Sequence, residues 1–321
     1  MPFGSTTTAE EVVAALADEI KGRNVLITGT SLNGLGFETA RVIAKYANLV
    51  VITGYNTERL KISEDALRKE VASANIRPLV LDLASFVSVR RAAAEVNAYP
   101  ENIDVLINNA AAALGPFKLT PDGFEQQLVT GHLGPFLFTA LILPKILSAH
   151  NASYTPRVVY VSSGAHGQWG TGVNLGELEQ PNASTYHAIT AYAQTKSANI
   201  LTPSELTRRA GGRIHAYSLS PGAILTNFVE SAEVQEALLA AGFITEDGKP
   251  NLNSRLTWTT LPRGASTIIV AAFDPSLNDT PGAYLVQCSE ANKNVAPHTA
   301  DPVMAGKLWS LSERLVDVKF L

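Results

Sequence analysis

Short runs of consecutive apolar residues alternate with longer segments whose apolar positions recur every three to four residues, and this alternation persists along most of the chain. The runs are Asn24–Thr28, Leu49–Thr53, Arg77–Leu81, Asp104–Ile107, Arg157–Val161, Arg213–Leu219 and Ala283–Cys288. Strands that are apolar on both faces are those covered on both faces, as in a parallel sheet. Between them the spacing predicts helices at about Gly34–Tyr46, Thr57–Ser73, Phe86–Asn97, Pro121–His150, Ala188–Arg209 and Pro262–Phe273. Strand-helix-strand order with right-handed crossovers predicts an α/β fold, a doubly wound parallel sheet with helices on both faces. No linker or repeat divides residues 1–321, so a single domain is expected.

The first strand runs directly into Thr28-Gly-Thr-Ser-Leu-Asn-Gly-Leu-Gly36 and then into a helix, the setting a dinucleotide-binding loop requires. Gly29 permits the tight turn, Gly34 lets the backbone approach a pyrophosphate, and Gly36 allows close helix packing. The helix N-terminus would present N–H groups and partial positive charge to the phosphates. Leu81-Asp-Leu83 ends the third strand, Asn108-Asn-Ala-Ala111 the fourth and Val161-Ser-Ser-Gly164 the fifth. Carboxyl ends of strands line the ligand crevice in this architecture. Asp82 is thus a candidate acceptor for an adenine amino group, Asn109 a brace for the cofactor bed, and Ser163 a donor to a substrate oxygen. Each also fits a plain turn or capping role.

Tyr192 and Lys196 stand four residues apart in the segment Thr190–Asn199, which puts both on one face of a helix. A phenol with a pKa of about 10 transfers a proton poorly near neutrality unless a fixed cation stabilises its anion, and Lys196 can be that cation. With Ser163 hydrogen-bonding the same oxygen, the three suit proton delivery to a carbonyl as negative charge builds on it.

Composition narrows the partners. The net charge is −4 with no long basic run, against nucleic acid or an anionic membrane surface and in favour of small molecules. One cysteine, Cys288, excludes an internal disulfide framework, suits a reducing compartment and reads as a buried strand residue. No signal peptide or membrane span is apparent, so a cytoplasmic location is expected. The apolar stretch Leu133–Leu147 is broken by Pro135, Pro144 and Lys145 and reads as a buried helix packing on the sheet or on a second subunit. His132, His166, His187 and His215 are dispersed, and no metal is expected.

Taken in order, the glycine loop, the Asn-Asn-Ala motif, the strand-terminal Ser163, Tyr192-x-x-x-Lys196 and Ser220-Pro-Gly222 resemble the short-chain dehydrogenase/reductase family. The wording of Ser162–His166, Ala191–Leu201 and Lys307–Glu313 is similar to its retinol-dehydrogenase-like branch, which includes the WW-domain oxidoreductases. The resemblance implies a seven-stranded sheet, a nicotinamide cofactor, and Ser163, Tyr192 and Lys196 as catalytic residues. It implies phosphate and ribose contacts from Gly29, Ser31, Asn33, Gly34, Leu35 and Gly36, and adenosine contacts from Tyr55, Asn56, Asp82 and Leu83. Nicotinamide-side contacts fall to Asn109, Ala110, Tyr192, Lys196, Pro221, Gly222 and Thr226. Residues 223–261 correspond to the family's variable substrate lid; Phe228, Val229, Leu238, Leu239, Phe243 and Ile244 would make it a greasy pocket wall, with Trp169 and Tyr186 from another. Pairing into a homodimer or homotetramer through Leu133–Leu147 is also implied.

Four departures stand out. The loop has four residues between Gly29 and Gly34 where the family has three. Gly131 takes the place of the family's fourth catalytic residue, an Asn that relays protons to the Lys, and leaves space for a water. Pro203 is expected to end or kink the helix after Lys196. Finally, Gly54 occupies the end of the second strand where an acidic residue would bind the ribose 2′-hydroxyl of NAD, so NADP(H) is expected over NAD(H), with Thr53, Asn56 and Arg59 as contacts. An NADP(H)-dependent carbonyl reductase or alcohol dehydrogenase for a mid-sized apolar substrate follows. The rival reading, supported by Gly131, is a repurposed member acting as an isomerase, cyclase or scaffold.

Overall fold

The computed structural model describes residues 3–226, 232–254 and 256–321. Its sheet comprises β1 (Asn24–Ile27), β2 (Leu49–Gly54), β3 (Ile76–Val80), β4 (Val105–Asn108), β5 (Arg157–Val161), β6 (His215–Ser220), β7 (Tyr284–Val286) and β8 (Ser289–Glu290). Their order is β3-β2-β1-β4-β5-β6-β7-β8, parallel throughout except for the last pair. The seven expected strands are all present. The eighth is a two-residue hairpin return on β7 and adds an edge the hydrophobic pattern is too short to mark.

Alternate residues of each strand feed two separate cores. Val25, Ile27, Val105 and Ile107 face one side, where they meet α1 (Ala9–Ala15), α2 (Leu35–Ile43), α3 (Thr57–Glu70) and the long helix Leu261–Phe273. Leu26, Leu106, Val158 and Tyr160 face the other, beneath α4 (Phe86–Asn97), α5 (Gly134–Leu141), α6 (Ala188–Ala210) and, numbering Leu261–Phe273 as α7, the terminal helix α8 (Pro302–Val316). Neither α1 nor α8 was among the expected helices; both close a face the sheet helices leave open.

Three expectations need correction. The segment Pro121–His150 is not one helix. It is a short turn (Gln126–Leu128), a wider π-type turn (Val129–Leu133), α5 and a separate turn (Leu143–Leu147), because Pro135 and Pro144 each occupy a helix start, where a missing N–H costs nothing. Helix α6 runs unbroken through Pro203 to Ala210. Pro203, Ile200–Thr202, Glu205 and Leu206 are buried, and packing on β5, β6 and α8 outweighs the roughly 3 kcal/mol an interior proline costs. Cys288 is buried as expected but follows β7 rather than lying in it, with a positive φ of 65° and its Sγ 3.0 Å from Ser266 Oγ.

Much of the stretch Leu133–Leu147 is buried in the chain's own core. Leu133, Phe136, Leu137, Phe138, Ile142 and Ile146 are fully buried within one chain. Phe136 meets Trp309 of α8 edge-on at 5.0 Å and Phe320 at 5.2 Å, and Trp309 stacks on Phe320 at 4.6 Å. The chain's own last helix and tail cover Phe136, while Leu141, Leu143 and Leu147 stay half-buried and Pro144 exposed. Among the described residues, no helix is long and apolar enough to cross a membrane.

Candidate active site

The glycine loop, Asn109, Ser163 and Ser220-Pro-Gly222 follow the carboxyl ends of β1, β4, β5 and β6, so the parallel register brings all four to one edge of the sheet. Asn109 ties that edge together. Its Nδ2 donates to the carbonyls of Thr28 (2.9 Å) and Gly29 (3.0 Å), while its N–H and that of Ala110 donate to Thr28 Oγ1. Gly29 has φ +70° and lies against Ala110, where any Cβ would come within 2.9 Å. A Cβ on Gly36 would lie 2.4 Å from the Gly29 carbonyl oxygen and 2.6 Å from Asn109 Nδ2. The extra loop residue is absorbed by Asn33, which takes a left-handed φ of 62°, a conformation Asn tolerates better than most side chains. A turn bond from Gly34 N to Ser31 O, 2.9 Å, closes the loop, and Gly34 then caps α2, whose first residue is Leu35. This is a cradle of exposed backbone at a helix start, which fits a dinucleotide pyrophosphate.

At the adenosine end, a shallow cavity is lined by Thr30, Ser31, Gly54, Tyr55, Asn56 and Arg59. Asn56 Oδ1 accepts from Arg59 N at 2.9 Å and so caps α3, and Tyr55 is largely exposed. Gly54 is open: an added Cβ would make only ordinary contact, 3.6 Å from Leu60 Cβ. Asp82 accepts from Ala84 N at 2.9 Å, spending one carboxylate oxygen on its own turn, and Leu83 is buried in the core.

Helix α6 carries the proton-transfer pair. Ser163 stands beside the Tyr192 phenol, where its hydroxyl favours the phenolate, and Lys196 Nζ lies 5.4 Å from the Tyr192 ring centre. Lys196 is 3% exposed, and its Nζ donates to the Val161 carbonyl at 2.9 Å. Burial pushes the Lys196 ammonium down to about 8. Burial also pushes the Tyr192 phenol up, opposed by the Ser163 hydrogen bond. The expectation that Lys196 sets the phenol's pKa is therefore not what dominates here; desolvation is larger.

Three neighbours of this pair went unnoticed in the sequence. Asn199 Nδ2 shares the Val161 carbonyl with Lys196, at 3.4 Å. Ser162 Oγ donates to the Lys196 carbonyl at 2.6 Å. Thr195 fills the place assigned to a water beside Gly131: a Cβ on Gly131 would lie 2.2 Å from Thr195 Cγ2. Thr195 is held there by its own Oγ1, which donates to the Ala191 carbonyl at 2.9 Å. The spare polar space expected at Gly131 does not exist; a methyl group occupies it. A glycine opposite a threonine at this spacing carries no local signal, because the two positions meet only when α6 packs on the π-type turn.

On the substrate side, Phe243 and Ile244 are buried, Leu238 is half-buried and Leu239 exposed; Phe228 and Val229 lie outside the described residues. Trp169 meets Phe243 at 5.3 Å between ring centres. Tyr186 is fixed to a different loop, donating to the Gly115 carbonyl and accepting from Gln127 Nε2 at 2.6 Å. Gly222, φ +88°, lets the Pro221 turn pass Thr259, and Thr226, early in the expected lid 223–261, is the last residue described before position 232. Among the described residues, no cluster of His, Cys, Asp and Glu could hold a metal.

The fold and these motifs define a nicotinamide-type oxidoreductase scaffold, and comparison with known proteins agrees. The chain belongs to the short-chain dehydrogenase/reductase family: residues 23–175 match the family profile described as short chain dehydrogenase. It is 33% identical over 320 residues to "Short-chain dehydrogenase TIC 32 A, chloroplastic" of Brassica napus, spanning 98% of this chain and 94% of that one. It is also 33% identical over 308 residues to retinol dehydrogenase 14 of Mus musculus, spanning 92% and 86%, which supports the retinol-dehydrogenase-like branch. A solved structure from Mycobacterium paratuberculosis, described as uncharacterised, superposes with a TM-score of 0.69 at 29% identity over 95% of this chain and 98% of its own.

Proposed function

We propose that this oxidoreductase is an NADP(H)-preferring carbonyl reductase or alcohol dehydrogenase acting on a mid-sized, largely apolar molecule. The observation that carries this reading is the Tyr192 phenol beside Ser163, one helical turn from buried Lys196, on the edge that holds the glycine cradle. When bound, the nicotinamide supplies the hydride to the carbonyl carbon or accepts it in the reverse direction. Tyr192 gives its proton to the carbonyl oxygen, and Ser163 hydrogen-bonds that oxygen as charge builds. Lys196 holds positive charge beside the phenolate and reaches the nicotinamide ribose. Gly29, Gly34 and Gly36 let backbone N–H groups meet the pyrophosphate; Asn109 and Ala110 hold that loop; Pro221, Gly222 and Thr226 border the nicotinamide.

The phosphate preference rests on Gly54, where no carboxylate repels a 2′-phosphate, with the Arg59 side chain on the same cavity. Asn56, Tyr55 and Ser31 complete that end. The rival non-redox reading leaned on Gly131, and Thr195 packing gives that glycine a steric reason instead. A homodimer or homotetramer would meet this stretch through half-buried Leu141, Leu143 and Leu147 and exposed Pro144 rather than through its buried residues. A cytoplasmic location suits the lone cysteine; since the Brassica relatives are named chloroplastic, fractionation of a tagged chain decides between the two compartments.

The test is NADPH and NADH titration, followed by a carbonyl panel read through cofactor oxidation, on wild type and Tyr192→Phe. Turnover of the variant should fall about 10²–10⁴-fold with NADPH affinity unchanged. A variant keeping more than a tenth of the rate removes Tyr192 from this role.

A further inference from the structure

His166 is buried, 2% exposed, three residues beyond Ser163, and every polar atom it offers across the chain is engaged. Its Nδ1 lies 2.7 Å from the Ser163 carbonyl oxygen. A carbonyl can only accept, so Nδ1 must carry the proton. In the neutral ring Nε2 is then bare, and it accepts from the Ala296 N–H at 3.3 Å. The backbone carbonyl of His166 accepts in turn from His298 Nε2 at 3.0 Å. Two bridges thus join the turn Ala165–Gln168, which follows the Ser163 strand end, to residues 296–298. A glycine clears the way for the second bridge: a Cβ on Gly170 would lie 2.4 Å from the His166 carbonyl oxygen, while Gly172, φ +97°, is in ordinary contact with the His298 side chain. The His166 ring also meets Tyr284 of β7 edge-on at 5.3 Å.

We propose that His166 is a positioning residue, a clamp that fixes the backbone of Ser163 against the segment 296–298 and so aims the Ser163 hydroxyl at Tyr192. This rests on the catalytic assignment above. Ser163 has one rotatable bond between its backbone and its hydroxyl, so a carbonyl held at 2.7 Å and a loop bridged twice leave that hydroxyl little freedom. The imidazole suits the task because it donates on one side and accepts on the other.

Two measurements test the clamp. Ring-nitrogen NMR of the wild-type protein should show His166 as the Nδ1–H tautomer with Nε2 unprotonated at pH 7.5; an Nε2–H tautomer overturns the proposal whether or not the chain has turnover. Kinetics then separate positioning from bulk. His166→Phe keeps a ring but neither nitrogen, and kcat for the best carbonyl should fall about 10- to 100-fold with NADPH affinity and substrate KM within twofold. His166→Asn, whose Nδ2 can take the place of Nδ1, should restore kcat to within about fivefold of wild type. Unchanged kcat in the Phe variant, equal losses in Asn and Phe, or a parallel loss of NADPH affinity each overturn it. If wild type shows no turnover with any carbonyl, the assignment of Tyr192 and Ser163 fails while the tautomer measurement still stands.

Discussion

Gly36 and Gly131 are both buried glycines with no room for a side chain, yet what stands in the way differs. At Gly36 the obstacle is the Gly29 carbonyl and the Asn109 amide, which are themselves locked to Thr28 and to the end of β4. At Gly131 it is a single methyl group of Thr195. The cofactor edge is built from backbone meeting backbone, whereas the rear of the catalytic helix is built from one side chain fitted against the absence of another. The first can change only by dismantling the loop. The second can be exchanged, provided both partners change together.

The largest effect is therefore expected from Gly36→Ala. Overpacking of this kind costs about 1–3 kcal/mol in stability, and NADPH binding should weaken at least 100-fold, by calorimetric titration, with no single second substitution restoring it. Recovery through a change at Asn109 would erase the contrast with Gly131. Next comes Gly131→Ala, for which turnover should fall about tenfold or more as Thr195 and α6 are pushed aside. Adding Thr195→Ser removes the methyl and should bring turnover back to within about threefold. Equal turnover in the single and double variants would show that Thr195 is not what excludes a side chain there.

Gly54 supplies a third kind of glycine, one with open space beside it. Gly54→Asp should leave the melting temperature within a degree or two and still reverse cofactor choice, lowering the NADPH-to-NADH preference about tenfold or more by charge repulsion; an unaltered preference removes Gly54 from the 2′-phosphate site. Acidity and alkalinity probe only the catalytic side, since the loop from Thr28 to Gly36 contains no titratable group. Burial pushes Lys196 down to about 8, so the reductive rate should decline as pH rises through about 8 and the ammonium is lost, read from kcat profiles of wild type. A separate effect, on stability in acid, concerns His132, beside Gly131, which burial pushes down to about 3. The unfolded chain takes that proton first as pH falls below about 6.5, so stability present above that value is lost progressively toward about 3, at up to roughly 1.4 kcal/mol per pH unit. Denaturant midpoints of His132→Gln should show a shallower acid slope.

How far the sequence could be read follows the same division. The glycine loop, Asn109, Ser163 and the Tyr192/Lys196 pair were legible because each is made from contiguous or helix-spaced residues in a strand-helix setting. The seven strands were legible because burial on both faces leaves uninterrupted apolar runs. Thr195 against Gly131 and His166 against Ala296 were not, because the partners stand 64 and 130 positions apart and their meeting depends on the finished packing. Pro203 misled for a related reason: a local rule about helices was outweighed by the tertiary contacts of α6. The terminal helix α8 was invisible as a cover because its apolar residues announce only that they need burial, not which surface they will close.

That cover has a consequence for how the protein is made. Phe136 waits for Trp309 and Phe320, and the ribosome reaches Phe320 about 180 residues after Phe136, on the order of 10–40 s at ordinary elongation speeds. Throughout that interval the nascent chain carries a bare aromatic surface behind its future catalytic helix, so a chaperone that holds such surfaces has both the time and the target to act before release.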